Sequence, residues 1–328
     1  MTAPYPLGRP RRLRASVGLR RLTQETTLSP ADFIAPLFVE EGTATRTPIA
    51  SLPGHSRLTL DLLVDECREL YSLGIGAVLL FAKVPDALKD NTGAEALNPG
   101  GLYPRAIKAI KAAVPELVVM TDIALDPFSS YGHDGIVEGE RIVNDATVDV
   151  LAQMAVVHAQ AGADVVAPSD MMDGRIGAIR RALEAGGYPE VGILAYTAKY
   201  ASCLYGPFRD ALDSAPGFGD KQTYQMQPGN AREALREAAL DEAEGADILM
   251  VKPGLWYLDV LYRLRQATPL PLAVYQVSGE YAQLHATADR GWLHLENAMW
   301  ESLLALKRAG ADLIATYFAK AAAQGLQR

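Results

Sequence analysis

Val191-Gly192-Ile193-Leu194-Ala195-Tyr196-Thr197-Ala198-Lys199 and Asp247-Ile248-Leu249-Met250-Val251-Lys252-Pro253-Gly254 decide the fold. Each is a short aliphatic run that ends in a lysine and is followed by turn residues, the pattern of a strand buried on both faces. Six further runs share this character, at 34–40, 76–82, 117–125, 164–170, 272–278 and 312–319. Helical periodicity fills most of the intervals, at 60–73, 103–113, 145–161, 176–185, 231–244, 255–267 and 292–309. Strand alternating with helix implies parallel strands joined by crossover helices. A short repeat marks the joints: Ala161-Gly162-Ala163-Asp164, Glu244-Gly245-Ala246-Asp247 and Ala309-Gly310-Ala311-Asp312 each close a helix and open a strand. Glycine suits the helix end because it adopts a left-handed conformation without a Cβ clash. Eight such units favour a closed (β/α)8 barrel of the TIM type over an open doubly wound sheet, and no glycine-rich dinucleotide fingerprint follows any strand.

Composition narrows the class. The chain has 328 residues, 49% hydrophobic content and a formal net charge of −8. No apolar run reaches the ~20 residues of a membrane span, so no membrane partner is expected. Residues 1–21 carry Arg9, Arg11, Arg12, Arg14, Arg20 and Arg21 and no acid. No apolar stretch follows them as in a signal peptide, and the cytoplasm is the expected location. Such an arm can bind nucleic acid or pack on an acidic neighbour; the acidic body repels phosphate, so no nucleic-acid partner is expected. The two cysteines, Cys67 and Cys203, cannot form a thiolate zinc cluster.

If the barrel closes, its C-terminal mouth gathers Asp122, Ser169, Asp170, Lys199, Lys252, Ser278 and Tyr317, all near strand ends. Two long connections, 126–144 and 200–230, lie on the same face, and loops of that length in a compact domain are usually functional. Stability does not call for two lysines at adjacent strand ends, because desolvating an ammonium is costly. A free lysine has a pKa near 10.4, so only about one in 2,500 is neutral at pH 7. A second ammonium ~6 Å away costs about 2.8 kcal/mol at an effective dielectric of 20. Two amines made neutral in this way are nucleophiles for a carbonyl substrate.

Ala198-Lys199-Tyr200-Ala201-Ser202 and Met250-Val251-Lys252-Pro253-Gly254 resemble the two Schiff-base lysine motifs of the porphobilinogen synthase (5-aminolevulinate dehydratase) family. The resemblance extends over nearly the whole chain, through Leu97-Asn98-Pro99-Gly100-Gly101, Ser169-Asp170-Met171-Met172-Asp173-Gly174-Arg175, Tyr205-Gly206-Pro207-Phe208-Arg209-Asp210-Ala211 and Tyr275-Gln276-Val277-Ser278-Gly279-Glu280-Tyr281. It implies condensation of two 5-aminolevulinate molecules to porphobilinogen and two waters, a lyase step of tetrapyrrole and heme biosynthesis. It further implies that Lys252 forms an iminium with the first substrate, whose carboxylate Ser278 and Tyr317 hold. Lys199 serves the second substrate, whose carboxylate Arg209 and Lys221 hold from a lid at about 200–230. Asp122 and Asp170 are candidates for proton transfer or for binding the substrate amine, with Ser169 beside them. A class I aldolase is the rival; it normally needs one such lysine, so the pair counts against it.

The resemblance also bears on metals. Zinc-dependent members carry three cysteines where this chain has Ala124, Asp126 and Asp134, which points to the aspartate-type branch. Carboxylates suit hard cations and thiolates suit zinc. No catalytic Zn2+ is therefore expected, and Asp126 and Asp134 are candidates for Mg2+, for a monovalent cation or for a site that works without metal. Glu233, Glu237 and Asp241 fall on one helix face, with Asn230 expected as its cap, and Glu237 matches the family's allosteric Mg2+ ligand. Residues 1–30 correspond to an arm that wraps a neighbouring barrel in a homo-octamer, and residues 31–328 to the catalytic barrel.

Overall fold

The computed structural model describes residues 4–212, 214 and 217–327. The first three residues of the expected arm and residues 213, 215 and 216 of the expected lid lie outside the described residues. Eight parallel strands form the core: β1 (Phe33–Val39), β2 (Ala77–Ala82), β3 (Val118–Ile123), β4 (Val165–Pro168), β5 (Gly192–Lys199), β6 (Ile248–Lys252), β7 (Leu272–Gln276) and β8 (Leu313–Thr316). They pair in sequence order, and β8 returns to β1 through Phe33 opposite Ile314 and Ile34 opposite Ala315. The sheet is therefore closed, as the alternation of runs predicts. A short hairpin, Arg46–Pro48 against Ser56–Leu58, adds to the rim of β1.

The helices follow in order: α1 (Val17–Leu22), α2 (Leu60–Ser72), α3 (Leu102–Ala113), α4 (Asn144–Ala161), α5 (Arg175–Ala185), α6 (Gly206–Leu212), α7 (Arg232–Glu244), α8 (Leu258–Ala267), α9 (Ser278–Asp289), α10 (Leu295–Ala309) and α11 (Ala319–Leu326). In the described part of the arm, α1 and the short 3-10 turn before it bury no residue.

The Ala-Gly-Ala-Asp repeat has a double use. Gly162, Gly245 and Gly310 end α4, α7 and α10 at φ of +103, +102 and +121°, a region that penalises any Cβ. Two residues later the aspartate accepts a backbone N–H from the preceding barrel strand: Asp164 from Val119 at 2.8 Å, Asp247 from Ile193 at 2.7 Å and Asp312 from Leu272 at 2.8 Å. Each carboxylate also meets a cation on a neighbouring helix, namely Lys111, Arg180 or Arg265. The repeat thus closes a helix, starts a strand and pins that strand to its neighbour at the N-terminal end of the barrel, leaving the C-terminal mouth for chemistry.

Two elements differ from expectation. The seventh run stops at Gln276, and Ser278 opens α9 instead of ending a strand. Glu280, two residues into that helix, accepts from the Val277 N–H at 2.8 Å and so turns the chain. In α7 the N-cap is Ala231, and Asn230 donates its side-chain amide to Glu233 at 2.8 Å instead of capping the helix.

Candidate active site

Lys199 and Lys252 are directly registered neighbours at the ends of β5 and β6. Both are buried, yet they sit in different surroundings. Around Lys252 Nζ stand four aromatic rings, with centroids at 5.0 Å (Tyr196), 5.3 Å (Tyr205), 5.1 Å (Phe208) and 4.7 Å (Tyr275). Among the described residues no carboxylate lies within ion-pair distance of it. Burial and then the charge on Lys199 push the Lys252 amine down to about 7. A large part of it is neutral near pH 7. Lys199 instead donates to Asp134 Oδ2 at 3.1 Å and to the Ser169 carbonyl.

Described residues of the 200–230 segment pack at this mouth. Tyr205 donates its hydroxyl to the Tyr200 carbonyl at 2.7 Å, and the Phe208 N–H donates to Ser278 Oγ at 3.0 Å. Gly279 presses on the Leu204 backbone so closely that a Cβ there would lie 2.4 Å from the carbonyl oxygen. Ser278 is buried beneath Phe208, and the Tyr317 hydroxyl shares a hydrogen bond of 3.1 Å with Tyr275. Both groups expected for the first carboxylate therefore touch the wall of the Lys252 chamber.

The aspartates divide. Burial, with Asp126 second, pushes the Asp122 carboxyl up to about 7, and its Oδ1 has no hydrogen-bond partner. Asp170 is engaged elsewhere: Oδ1 accepts from the Met172 N–H at 2.7 Å and Oδ2 faces Arg175 Nε at 3.8 Å. Arg175 in turn binds Asp241 at 3.0 Å. Asp170 thus braces the β4 loop against α7, and the expectation that it meets substrate finds no support in its contacts.

Lys221 faces carboxylates of the chain itself. It is 6% exposed, and its ammonium lies 2.6 Å from Asp134 Oδ1 and 3.6 Å from Asp126 Oδ2. Arg209 has no carboxylate within ion-pair distance among the described residues and is the open cation of the lid.

The family model of delta-aminolevulinic acid dehydratase matches residues 7–325. The chain is 60% identical over 320 residues to the chloroplastic delta-aminolevulinic acid dehydratase of Physcomitrium patens, covering 97% of this chain and 74% of the relative. It is 57% identical to the chloroplastic enzyme 1 of Arabidopsis thaliana, with 96% and 74% covered. A solved structure of the Toxoplasma gondii enzyme, in complex with the reaction product porphobilinogen, superposes with a TM-score of 0.95 at 52% identity, covering 97% of this chain and 91% of that one. The chain belongs to the delta-aminolevulinic acid dehydratase family. Porphobilinogen synthase activity, a lyase step of porphyrin and heme biosynthesis, is its function, as the sequence led us to expect. The cytoplasmic expectation is corrected by the same names: relatives this similar are named as chloroplastic enzymes.

Residues outside the expected set also shape this dehydratase site. Glu280 reaches from α9 to accept from the backbone N–H groups of Leu255 at 2.6 Å and Gly254 at 3.3 Å, as well as Val277. One buried carboxylate thereby ties the loop after Lys252 to the loop that carries Ser278. Its only sequence signal is an acid at the third position of a helix. The four rings of the chamber carry no sequence signal of their own beyond belonging to the family motifs.

Among the described residues no three His, Cys, Asp or Glu side chains converge. Asp126 and Asp134 supply hard oxygen donors, but the ammonium groups of Lys221 and Lys199 already answer their charge. An added cation does not fit there. Glu237 is different: it lines a cavity of about 570 Å³ with Glu140, Asp173, Glu233 and Arg236. Burial and then Asp241 raise its carboxyl above the usual range. Its carboxylate faces Arg236 at 3.5 Å, Arg141 also lines the cavity, and Asp241 is taken by Arg175.

Proposed function

We propose that the two lysines divide the porphobilinogen synthase reaction, with Lys252 forming the first Schiff base. The neutral Lys252 amine attacks the ketone of one 5-aminolevulinate; a C–N bond forms, the carbonyl oxygen leaves as water, and the product is a cationic iminium. Ser278 and Tyr317 hold that substrate's carboxylate. The four rings lend their negative faces to the iminium charge. Asp122, poised near neutrality beside the chamber, moves the proton that the dehydration requires.

Lys199 serves the second 5-aminolevulinate, and Arg209 supplies the guanidinium for its carboxylate, a pairing that is bidentate when planar. Ser169 holds the Lys199 amine through its carbonyl. The observation that carries this assignment is the register of Lys199 opposite Lys252, with Lys252 alone in the aromatic chamber. The test is borohydride reduction in the presence of 5-aminolevulinate, followed by digestion and mass mapping. Adducts on both lysines are expected; an adduct on one lysine alone under saturating substrate would return the site to a one-lysine aldolase pattern.

Glu237 is the residue we assign to a regulatory Mg2+ at the cavity beside α7, and residues 1–30 to the arm of a homo-octamer. The exposed, arginine-rich arm and the raised Glu237 carboxyl support both. When bound, the ion would screen the Glu237 charge and take no part in the condensation. Mg2+ titration followed by sedimentation is expected to shift both activity and assembly, with neither shift seen in Glu237→Gln. An unchanged profile in the native chain rejects the assignment.

A further inference from the structure

We propose that Lys221 is a built-in cation of the active site: its ammonium, held between Asp126 and Asp134, does the positioning work of a bound metal ion, and this pocket takes none. The inference rests on the assignment of Lys199 as a reacting amine.

The charges close on themselves. Asp134 offers one oxygen to each lysine, Oδ1 to Lys221 at 2.6 Å and Oδ2 to Lys199 at 3.1 Å. Asp126 adds a second carboxylate at 3.6 Å from Lys221. Two buried anions therefore face two buried cations. A divalent ion added to this set would place two uncompensated positive charges in a desolvated pocket, which is strongly unfavourable. The ammonium must leave before an ion can enter.

Lys221 is not free to leave. The chain around it is tied to the end of β5: the Met226 N–H donates to the Lys199 carbonyl at 3.0 Å, and the Ala201 N–H to the Met226 carbonyl at 2.8 Å. The Gln225 N–H closes a turn on the Lys221 carbonyl at 2.9 Å. Tyr224 places its hydroxyl between His133 Nδ1 at 3.1 Å and the Asp134 N–H at 3.3 Å. The lysine backbone, the Asp134 backbone and the Lys199 carbonyl thus form one hydrogen-bonded frame. In that frame Lys221 is a positioning residue: it holds Asp134 in place, and Asp134 aims the Lys199 amine.

Mn2+ is a suitable probe, counted per subunit by electron paramagnetic resonance of the free ion. Lys221→Ala in the full chain removes the ammonium and leaves both carboxylates; we expect it to bind one more Mn2+ per subunit than the native chain. The extra ion is expected to vanish in the Lys221→Ala, Asp134→Asn double variant. Lys221→Arg keeps the charge and is expected to gain no ion. Any Mn2+ held at Glu237 is common to all these chains and cancels in the difference. Equal Mn2+ counts in the native and Lys221→Ala chains would overturn the proposal. So would a native count that falls on Asp134→Asn, a comparison that stands even where Lys221→Ala does not fold. Borohydride adducts in the native chain test the roles of Lys199 and Lys252 separately, so failure of one assignment is distinguishable from failure of the other.

Discussion

Lys199 and Lys252 share a strand register and a cavity mouth, but one is met by a carboxylate and the other by four aromatic rings. An ion pair favours the charged amine and fixes its direction. A desolvated ring chamber disfavours the bare ammonium yet accepts a delocalised iminium, whose charge is spread and weakly hydrated. Identical side chains are therefore prepared for different tasks by what surrounds them. The lesson is that a pair of catalytic lysines need not be mutually equivalent to be mutually dependent: Lys199 contributes to lowering Lys252 by its charge, and it is itself held against Asp134.

The sharpest way to break the contrast is to remove the ring-bound amine. Lys252→Ala is expected to lower turnover by at least about 10³-fold, ~4 kcal/mol of barrier, with no porphobilinogen formed in the colorimetric assay and no trapped adduct at position 252. Turnover within tenfold of the native rate would contradict it. Next in size is the carboxylate side. Asp134→Asn leaves two buried ammonium groups facing a neutral amide, and a loss of about 3–5 kcal/mol in folding stability is expected from chemical denaturation. A variant of native stability would show that the pocket is wetter than its burial implies. The smallest effect belongs to a single ring. Tyr196→Leu keeps bulk but removes one π face, worth about 0.5–2 kcal/mol. It should shift the acid limb of adduct formation at Lys252 to lower pH, because the ammonium loses support, while slowing the steps that pass through the iminium. A limb that moves to higher pH would reverse the sign of the ring contribution.

Much of this molecule was legible in its residues. Barrel strands buried on both faces leave continuous apolar runs, so all eight were visible, and the lysines at the ends of the fifth and sixth runs were bound to be neighbours once the sheet closed. The positions of Ser278 and Tyr317 near the mouth followed from the same geometry, even though Ser278 opens a helix. That helix, Ser278–Asp289, was hidden because its residues mix small, polar and apolar types without a clear face, and its start is set by the Glu280 carboxylate, a tertiary contact. The role of Lys221 was hidden for a different reason. Its partner Asp134 lies 87 residues away, on another loop, and nothing local distinguishes a lysine that meets a substrate from one that meets an aspartate. The bracing of Asp170 was hidden likewise: its neighbour Arg175 and the distant Asp241 are joined to it only in the folded chain.

The most direct test of the division between the lysines is the pH dependence of borohydride trapping with less than one 5-aminolevulinate per subunit, each adduct located by mass mapping. The expected result is an adduct that appears first on Lys252, rising as pH increases through about 7, the value to which burial and Lys199 lower that amine. First appearance on Lys199, or trapping at Lys252 that begins only near the ordinary lysine range of about 10, would contradict the account.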